Sequence, residues 1–217
     1  MFTGIIEEIG TVDSIQKKGA SASIDINCRL IREDLHLGDS IAVNGVCLTA
    51  SAVSRSGFTA DIMHETLNRS SLSALVPGSH VNLERAMSAC GRFGGHIVSG
   101  HIDGIGVIEK MERDENAVWI SVRCSEKLLK YIVEKGSIAI DGISLTVAKL
   151  QTDGFSVSVI PHTLSQTVLS EKRPGSTVNL ENDCIGKYVE RLLAFGSTPK
   201  EKTESRITEE FLIQNGF

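Results

Sequence analysis

Three side chains stand out for the chemistry they could do: the thiol of Cys47, the hydroxyl of Ser144 and the imidazole of His101. Cys47 and Ser144 fall at the same place in two similar stretches, SIAVNGVCLT (40–49) and SIAIDGISLT (137–146), each just after an Asx-Gly pair. One stretch thus offers a thiol where the other offers a hydroxyl. A thiol attacks or carries a proton through its thiolate. Residue type alone leaves Cys47 between that role and a small buried position that Cys and Ser both fill. Thr49 and Thr146 lie two residues on and share a strand face with Cys47 and Ser144, because strand side chains alternate. As strand formers they need no further explanation. His101, in SGHIDG, replaces Ile5 of the matching TGIIEE. A lone histidine is more often structural than reactive, but its ring titrates near neutral pH. Cys90, His96 and His101 are spaced C-x5-H-x4-H, which matches no common zinc pattern and has no evident fourth ligand, so no metal site is read there.

These residues belong to an internal repeat. Six of the ten positions in the two stretches are identical, at an offset of 97. The same offset aligns 58–73 with 155–170 and PGSHVNLE (77–84) with PGSTVNLE (174–181), while 3–10 aligns with 99–106 at an offset of 96. The chain therefore divides into a first unit, 1–97, a second unit, 98–186, and a tail, 187–217. Equivalent positions differ informatively. Asp61 is equivalent to Ser158, Glu65 to His162 and Lys135 to Gly38. Asp183 has Ala86, so that acid cannot serve both units alike. Solvated surface is the plain reading of Asp61 and Glu65.

Each unit reads as β. Short apolar or alternating runs (40–43, 47–50, 58–62, 81–84) are punctuated by Asn44-Gly45, Asp141-Gly142, Pro77-Gly78 and Pro174-Gly175. Asx-Gly suits two-residue hairpins and Pro-Gly a type II turn. Many short strands in a 90-residue unit predict a small barrel or sandwich. One helical insert per unit is expected around 67–75 and 164–169, with Thr66 and Thr163 as caps. In the tail, Ile185, Tyr188, Val189, Leu192 and Leu193 form one apolar helix face, which predicts oligomerisation or packing back on a barrel. A polar break, 196–205, and ITEEFLIQNGF follow.

Composition narrows the class. The 217 residues carry 22 Lys+Arg against 27 Asp+Glu, a net charge of -5, which disfavours a nucleic-acid binder. No apolar run approaches a membrane span, and MFTGIIEEIG lacks the layout of a signal peptide, so a cytoplasmic soluble protein is expected. Five cysteines without CxxC make a disulfide framework improbable. No G-x-G-x-x-G follows a strand, which weighs against an FAD-dependent reductase barrel.

MFTGIIEEIG, NGVCLT, ERAM followed by GGHIVSGHIDG, and DGISLTV together resemble the α-type riboflavin synthases of the lumazine-binding repeat family, over essentially the whole chain. The resemblance implies an all-β fold of two tandem six-stranded antiparallel Greek-key barrels, plus a C-terminal helix that assembles a homotrimer. It implies a transferase for the last step of riboflavin biosynthesis: two 6,7-dimethyl-8-ribityllumazines dismutate to riboflavin and 5-amino-6-ribitylamino-pyrimidinedione. Four carbons pass between them without metal or redox cofactor. Two substrates would share a site between the N-barrel of one protomer and the C-barrel of a neighbour. Cys47, His101 and Ser144 take the catalytic roles in that picture.

The resemblance also implies a lining for each pocket. On the first-unit side it comprises Gly4, Ile5, Ile6, Ser40, Leu48, Thr49, Asp61, Ile62, Met63, His64, Glu65 and Thr66. The second unit adds Gly100, Ile102, Lys135, Leu145, Thr146, Ile160, Pro161, His162, Thr163, Leu164, Ser165 and Asp183. The final ITEEFLIQNGF resembles members that sit inside a lumazine synthase shell. The alternative within the superfamily is a non-catalytic lumazine- or flavin-binding antenna protein. Retention of Cys47, His101 and Ser144 favours the enzyme.

Overall fold

Asn44-Gly45 and Asp141-Gly142 each close a two-residue hairpin with positive φ at both turn positions, the geometry that matches the right-handed twist of flanking strands. The computed structural model describes residues 1–19, 21–196 and 209–217. In the first repeat the strands are β1 (Glu8–Lys18), β2 (Ser21–Asn27), β3 (Ser40–Val43), β4 (Val46–Val53), β5 (Gly57–Ile62) and β6 (His80–Arg85). The second repeat supplies β7 (Gly104–Asp114), β8 (Ala117–Arg123), β9 (Ser137–Ile140), β10 (Ile143–Leu150), β11 (Gly154–Val159) and β12 (Thr177–Asn182).

Each set closes into a six-stranded antiparallel barrel, in the cyclic orders β1-β2-β5-β4-β3-β6 and β7-β8-β11-β10-β9-β12. Strands β3, β4 and β5 run as successive hairpins while β6 returns beside β3, which is a Greek key. The duplication extends to irregularities. Register shifts at Asp13 and Ser51 recur at Glu109 and Ala148, where an extra residue bends the strand and helps a small sheet close. Ile24, Ile26, Ile41, Phe58 and Leu83 fill the first barrel; Ile120, Val122, Ile138, Phe155 and Leu180 fill the second.

The expected helical inserts begin three residues earlier than read. Helix α1 spans His64–Arg69 behind Met63, and α3 spans Pro161–Ser165 behind Ile160; α2 (Glu126–Leu129) lies between β8 and β9. Strand β5 passes directly into α1, so Thr66 sits inside the helix rather than capping it, and Pro161 takes the first helical turn, where its missing N–H costs nothing. The Ser70 hydroxyl donates to Thr66 O and accepts from Leu72 N–H, which ends α1 and starts a 3-10 turn at Ser71–Ala74.

The two barrels form one compact unit, residues 1–186. Their join is reciprocal. A Cβ on Gly45 would lie 2.7 Å from Gly142 N, and one on Gly142 equally close to Gly45 N, so only glycines let the hairpins touch. The fully buried Asn82 side chain donates to Asp141 O (2.9 Å) and accepts from Val168 N–H (2.8 Å). Asn179 donates to Asn44 O (2.8 Å) and accepts from Ser71 N–H (2.7 Å). Phe2, Ala42, Val98 and Ala139 form a small apolar cluster against which Cys47 packs.

Residues 187–217 form a second unit. Helix α4 (Cys184–Gly196) carries the apolar stripe of Ile185, Tyr188, Val189, Leu192 and Leu193, all exposed, and α5 spans Glu209–Gln214. The expected polar break lies outside the described residues beyond 196.

Candidate active site

The segments that lead into the barrels are where the repeats exchange contacts. In the sequence, residues 4–6 and 100–102 of the matching TGIIEE and SGHIDG read as the start of the equivalent first strands. They instead lie ahead of β1 and β7 as irregular chain, entered at a left-handed glycine (Gly4 φ 78, Gly100 φ 82), each bonded to the other barrel. Glu84 on β6 accepts hydrogen bonds from Thr3 N–H (2.7 Å), the Thr3 hydroxyl (2.8 Å) and Gly4 N–H (3.0 Å). Glu181 on β12 does the same for Ser99 N–H (2.6 Å), the Ser99 hydroxyl (2.7 Å) and Gly100 N–H (3.0 Å). Each held segment then accepts from the other barrel's lip: Ser144 N–H reaches Gly4 O at 2.8 Å, and Cys47 N–H reaches Gly100 O at 2.9 Å. Ile6 packs on the second core and Ile102 on the first. Gly100 has φ +82, and a Cβ there would stand 2.5 Å from Cys47 Cβ.

This exchange puts His101 of the second repeat into the cleft of the first. Cys47, Glu65, Thr66, Arg69, Gly100, His101 and Ile102 line a hollow of about 150 Å³. That is below the roughly 300 Å³ at which ligand pockets begin. Ile6, Glu7, Glu8 and Ile9 of the first repeat face His162, Ser165 and Gln166 of the second across another hollow, of about 400 Å³.

Ser144 has a partner that residue spacing did not reveal. His96 Nδ1 and Ser144 Oγ share a hydrogen bond of 2.7 Å, and His96 N–H donates to Thr3 O. The imidazole is buried, which pushes its pKa down, while the nearby Asp183 carboxylate pulls the other way and is outweighed. His96 Nε2 has no hydrogen-bonding partner among the described residues. Burial thus favours the neutral imidazole, whose Nδ1 can accept from the Ser144 hydroxyl. In the sequence His96 figured only in the rejected zinc pattern, though it stands within the GGHIVSGHIDG motif. Among the described residues no group of three or more His, Cys, Asp and Glu could hold a metal.

The other candidates are placed as follows. Cys47 and Thr49 turn outward, and Ser40 pairs with Thr49 across β3 and β4. Thr146 is exposed opposite Ser137. Leu48 (4 % exposed), Ile62, Leu145 and Leu164 turn into or against the cores, so at the lips they offer a ligand backbone only. Asp61, Met63, Ile160 and Pro161 are exposed and line neither hollow. His64 faces the far side of α1, in a groove with Ile15, Lys17 and Leu67. Thr163 O accepts from the Thr167 hydroxyl, and Ile5 is exposed near Gly94. Lys135 adopts φ 65, a left-handed conformation where the first repeat has Gly38, and its N–H donates to Val147 O. Asp183 accepts from Ile185 N–H at the start of α4.

Comparison with known proteins agrees with this architecture. The family model described as lumazine binding domain matches twice, at residues 3–86 and 99–183. The riboflavin synthase of Actinobacillus pleuropneumoniae is 54% identical over 217 residues, covering 100% of both chains. That of Bacillus subtilis (strain 168) is 52% identical with the same coverage. Among solved structures, a crystal structure of LumP complexed with riboflavin superposes with a TM-score of 0.78 at 26% identity, covering 84% of this chain and 99% of that one.

Proposed function

The chain belongs to the lumazine-binding-domain family, as a riboflavin synthase within it, and from that premise we propose how its geometry carries the reaction. The enzyme transfers a four-carbon unit, and its barrels bind lumazine-type ligands. Two molecules of 6,7-dimethyl-8-ribityllumazine occupy each site. One lies on the Cys47 lip and the other on the Ser144 lip of a neighbouring protomer.

Two features support the shared site. The Cys47 cleft of one chain is too small for a ribityl-lumazine, so a second wall must complete it. The exposed apolar stripe on α4 is suited to holding protomers together, as in a homotrimer. Holding two flat rings face to face makes a bimolecular step effectively unimolecular, the largest contribution expected here.

His101 removes the 7-methyl proton of one lumazine, and the electron-poor ring delocalises the resulting carbanion. Cys47 contacts that ring. Ser144, with its proton shared by the neutral His96, hydrogen-bonds the partner lumazine. Thr49, Thr146, Lys135 and Asp183 provide polar groups for the ribityl chains and pyrimidine edges, which must be matched because an unpaired buried polar atom costs about 1–3 kcal/mol.

The observation that carries this reading is the exchanged segment: Gly100 bonded to Cys47, with His101 beside it in the same cleft. The test is incubation of the purified protein with the lumazine as sole substrate. Yellow-green flavin fluorescence must appear. Bound lumazine with no riboflavin would mean an antenna-type binder instead.

A cytoplasmic location and packaging inside a lumazine synthase shell belong to the same proposal. No described helix is long and apolar enough to cross a membrane. Cell fractionation tests the location; co-purification with and without the last eleven residues tests the packaging.

A further inference from the structure

Glu181 is 1% exposed, and a buried carboxylate persists only where hydrogen bonds replace its water. The three hydrogen bonds described above all come from Ser99 and Gly100, the two residues immediately before His101. The Ser99 hydroxyl in turn accepts from His101 N–H at 3.3 Å, and Gly100 O is tied to Cys47 N–H. The peptide bearing the imidazole is thereby fixed from its own barrel by Glu181 and from the other barrel by Cys47.

We propose that Glu181 is a positioning residue for His101: through Ser99 and Gly100 it sets where the imidazole stands against the Cys47 lip. The proposal rests on the reading of His101 as the acid/base in that cleft.

The first repeat contains the control. Glu84, also buried, makes the same three hydrogen bonds to Thr3 and Gly4, but the next residue is Ile5. Both carboxylates pin a leading segment; only Glu181 pins one that carries an imidazole. A purely architectural role would make the two interchangeable in their effects.

The experiment is steady-state kinetics on the full chain with the lumazine as substrate, for E181Q, E84Q, H101A, and the doubles E181Q/H101A and E84Q/H101A. Glutamine preserves size but turns an N–H toward an N–H. For E181Q, kcat should fall about tenfold or more with KM changed less than about threefold. E181Q/H101A should be no slower than H101A, because displacing an absent imidazole costs nothing further, whereas the E84Q and H101A losses should multiply. Wild-type kcat in E181Q, or losses that multiply with H101A as those of E84Q do, overturns the proposal.

If E181Q does not fold, S99A reads the same link. A kcat below wild type that vanishes as a difference in the H101A background supports the proposal, and multiplying losses refute it. If the wild-type chain makes no riboflavin, the functional reading fails by itself. The positioning is then read from the His101 ring resonances in NMR, which must shift in E181Q but not in E84Q; unshifted resonances in E181Q overturn it.

Discussion

Asp141 Oδ2 lies 2.9 Å from Lys172 Nζ, a charged pair at the join of the barrels where the first repeat has the neutral Asn44 and Leu75. Asp141 is fully buried, so desolvation pushes its carboxyl pKa above the ordinary 3.8 even though Lys172 pulls it back. Removing one partner of a buried pair strands the other charge, a cost of about 3–5 kcal/mol. Lys172→Leu should therefore lower unfolding free energy by about that much in urea melts at pH 7. The double change Asp141→Asn with Lys172→Leu, which copies the first repeat, should recover most of it. With the folded pKa raised, this group's contribution to stability falls as pH rises above about 3.8. The deficit of Lys172→Leu should accordingly shrink on acidification toward pH 4. A deficit that stays constant with pH would mean the lysine acts by packing alone.

Asn82 and Asn179 should be matched in importance. Asn82→Leu leaves Val168 N–H and Asp141 C=O without partners, and Asn179→Leu leaves Ser71 N–H and Asn44 C=O. At about 1–3 kcal/mol for each orphaned group, either change should cost about 2–6 kcal/mol in denaturant unfolding. A cost below 1 kcal/mol for both would show that the join does not depend on these amides.

Burial of His96 gives a pH dependence of opposite sign. Its folded pKa lies below the ordinary 6.5, so the unfolded chain binds more protons in the window beneath 6.5 and stability declines as pH falls through it. Relative to wild type, His96→Asn should flatten the stability profile below about pH 6.5. The His96 ring, followed by NMR, should be more than half neutral at pH 6.5. A ring already charged there would remove it as an acceptor for the Ser144 proton.

Phe2 is the apolar prop of the first cleft. Its ring is 1% exposed in the small cluster with Val98, and its Cε2 lies within 3.0 Å of where a Gly100 Cβ would be. Phe2→Ala should cost about 3–5 kcal/mol through the cavity it leaves. It should also lower kcat, because Gly100 and Cys47 lose their backing. Full activity in a destabilised Phe2→Ala chain would separate the cluster from the site.

The tight turns were legible in the sequence because their cause is local: Asn44-Gly45 and Pro77-Gly78 carry their backbone preferences in the residues themselves. The barrels were legible through the 97-residue offset. The leading segments were not. Gly4–Ile6 reads like the start of a strand, but Glu84, eighty residues away, holds it against the other barrel. Helix α1 was set too late because the strand-to-helix passage at Met63 has no polar cap to mark it. His96 was overlooked as Ser144's partner because that pairing joins the segment between the barrels to β10, a contact no spacing encodes.

The central claim, that like molecules meet in one site and exchange carbons, is tested most directly by counting them. With lumazine alone, chromatography should show two consumed for each riboflavin formed, with one pyrimidinedione released alongside it. One lumazine consumed per riboflavin, or dependence on a separate carbon donor, would contradict the account.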